Sequence, residues 1–306
     1  VPERLSRRLA DLEGAESALV VASGAAANAC ALLALLRTGD HLLASVWLRP
    51  ETRRFCERAL PALGVTVSFV DPREMRGWRR AVTRTTRALF VESPVQASTR
   101  LVDFKPPRTL ASELGIALIA DTTAASPANF RPLQHGADVV VHDGQPFLAA
   151  SCDGGVGVVC GTESLIDEVR AVRDLLGVAP HPAALDALAR GLETLDVRAA
   201  RQNDNAREVA DWAQHSPAVM AVHYPGLASH PEHALASELL RGFGSTVVLE
   251  LHDPAVAERI CDVTDDVAGA SLASVIRPGD SPGTVRVQVG VEAPQAVLDW
   301  LSTRLP

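Results

Sequence analysis

Residues 138–155 read DVVVHDGQPFLAASCDGG. The β-branched run Val139, Val140, Val141 breaks off in a polar loop, and parallel α/β proteins gather ligands and reacting groups at that end of a strand. Outward from this point, short apolar runs alternate with stretches of helical period. Strands are expected at 18–22, 41–45, 65–70, 88–92, 116–120, 139–141 and 156–160. Helices are expected at 3–13, where Leu5, Leu9 and Leu12 share a face and Gly14 closes the last turn, and at 25–36, 50–63 and 164–176. Strands separated by helices imply an α/β fold, a mostly parallel sheet covered on both faces.

After a long helical stretch at 183–215 the pattern changes. Residues 219–224, 245–251 and 284–289 read as strands of a smaller α+β unit, with helices near 232–241, 254–264 and 294–305. We therefore expect a large domain over 1–190 and a small one over 191–306, in keeping with a length of 306 residues.

A formal charge of −8 and a pI near 5.6 argue against nucleic acid as a partner, because phosphate-backbone binding needs a concentrated basic surface. No apolar run reaches the roughly 18–20 residues of a membrane helix. With no signal peptide at the start of the sequence, a cytoplasmic location is expected. The cysteines, Cys30, Cys56, Cys152, Cys160 and Cys261, form no CxxC pair and no metal-ligand spacing. They read as reduced thiols; Cys152, in the quoted loop, is a candidate reactive group or a packed one. The chain contains a single lysine, Lys105, the other basic residues being arginines, which cannot form a Schiff base at ordinary pH. Ser23-Gly24, between an expected strand and an expected helix, offers backbone N–H groups to an anion, although any βα connection can carry such a pair.

Several segments together resemble one family: LADLEGAESALVVASGAAA (9–27), LGVTVSFVDP (63–72), FVESPVQASTRLVDF (90–104), LIADTTAASPANFRPLQHGADVVVH (118–142), RGLETLDVRAARQNDNA (190–206), YPGLASHPEH (224–233), RGFG (241–244) and TVRVQVGVE (284–292). They are similar to the Cys/Met-metabolism family of pyridoxal-phosphate (PLP) enzymes, which holds cystathionine γ-synthases, γ- and β-lyases and homoserine sulfhydrylases. The resemblance implies PLP fold type I (aminotransferase-like): a large domain with a mostly parallel sheet and a smaller α+β C-terminal domain. It also implies roles. Asp121 would pair with the cofactor's pyridine nitrogen, or else simply cap a βα turn. Ser23, Gly24 and Ala25 would hold the phosphate through main-chain N–H groups. Arg286 would fork onto a substrate carboxylate, or form a surface ion pair. Glu92, Gln96 and Arg100 match a segment beside the cofactor that can equally be structural, with Gln96 replacing the family's asparagine.

The departures concentrate at the quoted loop. Where the family writes H-S-A-T-K, this sequence writes His142-Asp143-Gly144-Gln145-Pro146, so proline replaces the Schiff-base lysine and the phosphate-touching serine and threonine become Asp143 and Gln145. Aspartate repels a phosphate dianion. Arg49 replaces the tyrosine that stacks on the cofactor ring, the family's N-terminal arm would lie before Val1, and the loop at 270–283 is short. Lys105, in a stretch where the family starts a surface helix, reads as a solvated residue rather than a substitute amine.

These features lead us to expect a degenerate family member without lysine-dependent catalysis. It would bind PLP weakly or not at all, never covalently, and serve as a binding or assembly subunit. Because family active sites form between subunits, the expected partner is a second copy or a PLP-competent paralogue, with an amino-acid-like small molecule as a further ligand. An alternative is altered, PLP-independent chemistry on an amino-acid-like or anionic substrate, using Arg49, Asp121, Asp143, Cys152, Arg286 and His142. His142 suits acid–base work by its ordinary pKa, but a lone strand-end histidine is as readily structural. A further alternative is C–S bond chemistry with PLP held noncovalently.

Overall fold

The computed structural model describes residues 2–145, 147–149, 155–262, 274–279 and 281–305. Seven strands form the larger sheet: β1 (Ser17–Val21), β2 (His41–Ser45), β3 (Thr66–Val70), β4 (Thr86–Glu92), β5 (Ala117–Asp121), β6 (Val139–Asp143) and β7 (Gly157–Gly161). Their spatial order is β1-β7-β6-β5-β4-β2-β3. All neighbours pair in parallel except β7, which runs antiparallel between β1 and β6. This is the expected mostly parallel α/β sheet, and its strands read as unbroken apolar runs because both faces are covered.

Side chains alternate across the sheet, so each strand feeds two layers. Leu43, Leu89, Val91, Leu118, Ala120, Val140 and Val158 pack on one face, in one cluster with Leu5 and Leu9 of the helix Pro2–Glu13 and Leu110 and Ala111 of the helix Lys105–Leu114. Leu42, Ala88, Phe90, Ile119, Val139, Val141 and Val159 pack on the other, where the helices Gly24–Leu35 and Glu163–Leu176 lie. The same alternation decides which way each residue at the strand ends points.

The smaller sheet is wholly antiparallel: β8 (Val219–His223), β9 (Thr246–Leu251), β10 (Val275–Pro278) and β11 (Thr284–Gln288), in the order β10-β11-β9-β8. Val247, Leu249, Val285, Val287 and Ile276 fill its core with Ala206, Val209, Ala210 and Ala213 from a long helix. That helix, Leu195–Ala213, begins with Leu195 in the large sheet's core and ends in the small one.

Some elements differ from the sequence expectation. The helical stretch at 183–215 is two helices, Pro182–Glu193 and Leu195–Ala213, separated at Thr194. The helix at 50–63 widens to a π turn over Phe55–Ala59, with Leu60 N–H reaching Phe55 O. Pro61 supplies the reason, since it has no N–H to donate and its ring crowds the carbonyl four residues back. Strand β6 runs two residues past the valines, because His142 and Asp143 continue the ladder with Val158 and Gly157. Strand β10 lies in a segment read only as a short loop.

Candidate functional site

Strands β4, β5 and β6 are adjacent, and their carboxyl ends carry Glu92, Asp121 and Asp143. Glu92 shares its face with Phe90, Asp121 with Ile119 and Asp143 with Val141, so all point toward the layer of the helix Gly24–Leu35. Glu92 and Asp121 are direct ladder neighbours. Asp121 and Glu92 are buried, and Asp143 retains 24% side-chain exposure. Packing acids this closely disfavours their charged forms. Burial, then the charge of Asp121, pushes the Glu92 carboxyl up to about 8 against the opposing pull of Arg49. Asp143 is also raised, by burial first and Asp121 in smaller measure, with Arg49 again opposing.

Arg49 is the counter-charge. It precedes Pro50, which keeps its backbone extended at φ −55°, ψ 145°. Its N–H donates to Glu92 Oε2 at 2.6 Å, Nη1 stands 3.4 Å from Asp143 Oδ2, and Nη2 stands 3.7 Å from Asp121 Oδ2. Burial would lower the guanidinium's pKa, but Asp121, Glu92 and Asp143 outweigh that effect and hold it above its ordinary value. One arginine therefore ties together carboxylates from three neighbouring strands.

Asp121 is heavily engaged. It accepts Asn28 Nδ2 at 3.0 Å, the Thr123 N–H at 3.0 Å and the Thr123 hydroxyl at 2.6 Å. The Thr123 hydroxyl in turn accepts the Asp143 N–H at 2.8 Å, and Asn28 also donates to Thr52 Oγ1 at 3.2 Å. Asn28 comes from the helix that opens at Ser23-Gly24. Ser23 is its N-cap, with Oγ accepting the Ala26 N–H at 3.1 Å, while Ala25 is exposed. Gly24 lies flat against Asp143: a Cβ there would fall 2.5 Å from Asp143 Cβ and 2.7 Å from Cγ. The carboxylate of Asp143 thus projects beside the positive end of this helix, the end that attracts anions.

The remaining candidates are not all within the described residues. Cys152 and Pro146 fall outside them. His142 points to the opposite face with Val140, and its Nε2 meets Glu13 Oε1 at 2.5 Å, both side chains being buried. It therefore does not join the acid row, because strand alternation separates it from Asp143. Arg286 stands on β11 between Arg277 and Val248, on the face away from the small-domain core. Gln96 donates its N–H to Glu92 Oε1 at 3.1 Å. Arg100 forks onto Glu232 and lies 4.4 Å over the Trp47 ring. Lys105 opens the helix Lys105–Leu114, which packs Leu110 and Ala111 into the layer opposite the acid row, and its exposed Nζ is 2.7 Å from Glu238 Oε1.

One buried cation escaped the sequence reading. Arg198, 5% exposed, donates to Phe147 O at 2.8 Å and to Gly191 O at 2.7 Å, holding the loop that follows β6. Its place inside RGLETLDVRAARQNDNA was the available signal. Among the described residues no cluster of His, Cys, Asp and Glu is arranged to hold a metal, and no helix is long and apolar enough to cross a membrane.

Comparison with known proteins places these positions in context. Residues 2–277 match the family model "Cys/Met metabolism PLP-dependent enzyme". The chain is 38% identical over 248 residues to cystathionine gamma-synthase 1, chloroplastic, of Arabidopsis thaliana, covering 81% of this chain and 44% of that protein. It is 33% identical over 312 residues to cystathionine beta-lyase of Coxiella burnetii, covering 94% and 80%. With L-methionine gamma-lyase of Pseudomonas putida it shares 35% identity over 251 residues, covering 81% and 63%. The chain thus spans about half the length of the plant synthases it matches. The crystal structure of metB from Corynebacterium glutamicum superposes with a TM-score of 0.92 at 26% identity, over 98% of this chain and 83% of that one.

Proposed function

Because the chain belongs to the Cys/Met metabolism family of PLP-dependent enzymes, we propose that it is a member that dispenses with the family's lysine-dependent chemistry and acts as a binding or assembly subunit. The observation that carries this reading is the whereabouts of its one amine side chain. Lys105 is the sole lysine of the sequence, and it pairs with Glu238 at the surface, on the layer opposite Asp121. Covalent PLP requires a lysine that reaches the ring aldehyde. On the resemblance described above, the position that would supply it holds Pro146.

The residues around the acid row also fit PLP poorly. Bound in this fold, PLP would supply a protonated ring that acts as an electron sink. Asp121, the expected partner of that ring, is already matched by Asn28, Thr123 and Arg49. The helix N-terminus expected to take the phosphate has the Asp143 carboxyl packed against its first glycine. We assign no chemical step to the cofactor in this chain. An assembly role agrees with family sites being built between subunits, so the partner would be a second copy or a PLP-competent paralogue.

The test is direct. Purified protein mixed with equimolar PLP should show no aldimine absorbance, and on later borohydride reduction an unchanged intact mass, while light scattering and pull-down from the native host identify the assembly. A covalent adduct on Lys105 would overturn the reading.

A second reading, PLP-independent chemistry on an amino-acid-like or anionic substrate, draws on one observation: Glu92, pushed up to about 8 beside Arg49, is a carboxyl poised to exchange protons near neutral pH. An Arg286 substitution separates the two, because turnover would fall under this reading and assembly would survive under the first.

A further inference from the structure

We propose that Arg49, clamped between Asp121 and Asp143, is the chain's own occupant of the ancestral cofactor site, an internal side-chain bridge that excludes PLP even from noncovalent binding. This deepens the reading above and rests on it. Loss of a lysine alone removes the covalent tether but leaves a cavity that can still bind the coenzyme. The bridge closes both ends of that cavity.

At the ring end, the Arg49 guanidinium and Asn28 stand at Asp121 Oδ2, and Thr123 supplies two hydrogen bonds to Oδ1. A protonated pyridine ring would have to displace a permanently charged guanidinium to reach this carboxylate. Arginine keeps its charge across the accessible pH range, so pH does not relieve the competition. At the phosphate end, the obstacle is both steric and electrostatic. Asp143 Cβ and Cγ approach Gly24 so closely that no side chain fits at that glycine. A dianion at the same N–H groups would meet a carboxylate instead of hydroxyl donors. The Asp143 carboxyl is fixed from its own backbone as well, with its N–H on Thr123 Oγ1 at 2.8 Å and its Oδ1 accepting the Gln145 N–H at 3.2 Å. Arg49 joins the ends: its Nη1 faces Asp143 and its Nη2 faces Asp121.

The bridge also accounts for the acid row. Three carboxyl groups at the ends of β4, β5 and β6 repel one another, and the guanidinium offsets part of that repulsion at Asp121 and Asp143.

PLP titration followed by tryptophan quenching and equilibrium dialysis tests this. Wild-type protein should show no saturable binding, and the Arg49→Ala/Asp143→Ser double variant should bind PLP at least about tenfold tighter than the wild-type limit, without a borohydride-stable adduct. Should the double variant not fold, Asp143→Asn keeps the shape, removes one charge and should tighten binding by at least about fivefold. Saturable, borohydride-insensitive binding by wild type, or variants that bind no better than wild type, would overturn the bridge while leaving the proposed function intact. A borohydride-trapped adduct in wild type would instead overturn the proposed function.

Discussion

His142 Nε2 and Glu13 Oε1 meet at 2.5 Å, joining the end of β6 to the helix Pro2–Glu13 where each side chain is 1% exposed. A histidine at a strand end beside a site invites an acid–base reading, yet its direction is set by the ladder. Asp143 follows His142 directly, and consecutive strand residues face opposite layers. The pair therefore clamps the N-terminal helix to the sheet.

Removing either partner strands the other in the core. Glu13→Ala and His142→Ala are each expected to destabilise the fold by about 1–3 kcal/mol, the cost of an unmatched buried polar group. Urea unfolding measures the loss. The double variant should be less destabilised than the sum of the singles, since it leaves neither group orphaned.

Arg198 acts at a different distance from the acid row. Its guanidinium joins Phe147 O and Gly191 O, so the helix Leu195–Ala213 grips the loop after β6. Lysine cannot reproduce the fork. Arg198→Lys should cost about 2 kcal/mol, in the range for hydrogen bonds to a charged group. Hydrogen exchange at the Ala149 amide, bonded to Gly144 O at 2.8 Å, should accelerate in the variant.

The large sheet was legible because strands covered on both faces write themselves as unbroken apolar runs, as at Val139–Val141 and Leu118–Ala120. Strand β10 was not, since Val275 and Ile276 are followed at once by Arg277 and Pro278, too short a run to show alternation. Arg49, Asp121 and Asp143 were found through resemblance. Resemblance also gathered them and Glu92 about one pocket, but the Arg49 bridge across the three strand ends was hidden, because it depends on the order β6-β5-β4, a tertiary fact. Arg198 was missed for a related reason: an arginine in a helix reads as a solvent-facing residue unless its buried partners are known.

Arg100 and Glu232 tie the connection after β4 to the segment between β8 and β9. Arg100, from the connection after β4, donates through Nε and Nη2 to Glu232 Oε1 at 2.9 and 2.6 Å, and Glu232 precedes the helix His233–Leu239. With side chains 28% and 14% exposed, the pair is drier than an ordinary surface bridge. A double-mutant cycle with Arg100→Ala and Glu232→Ala should return a coupling of about 1–2 kcal/mol, above the usual surface value. Tryptophan emission should shift in Arg100→Ala, whose guanidinium covers Trp47.

Glu92 makes stability depend on pH in a direction opposite to most carboxylates. Its folded value is about 8, raised by burial and by Asp121, whereas an unfolded glutamate titrates near the ordinary value of about 4.3. Below the unfolded value both states are protonated and the full stabilising contribution is present. Between the two values the folded chain holds a proton that the unfolded chain has released, so stability falls as pH rises. The contribution is lost once pH passes the folded value. Wild-type protein should therefore weaken progressively from about pH 5 to pH 8 in denaturant titrations. Glu92→Gln removes the proton exchange, and its single amide oxygen can serve only one of the N–H groups of Arg49 and Gln96 that Glu92 now accepts. The variant should start less stable at pH 5 and lose less between pH 5 and 8. A variant profile parallel to that of wild type would assign the pH dependence to other groups.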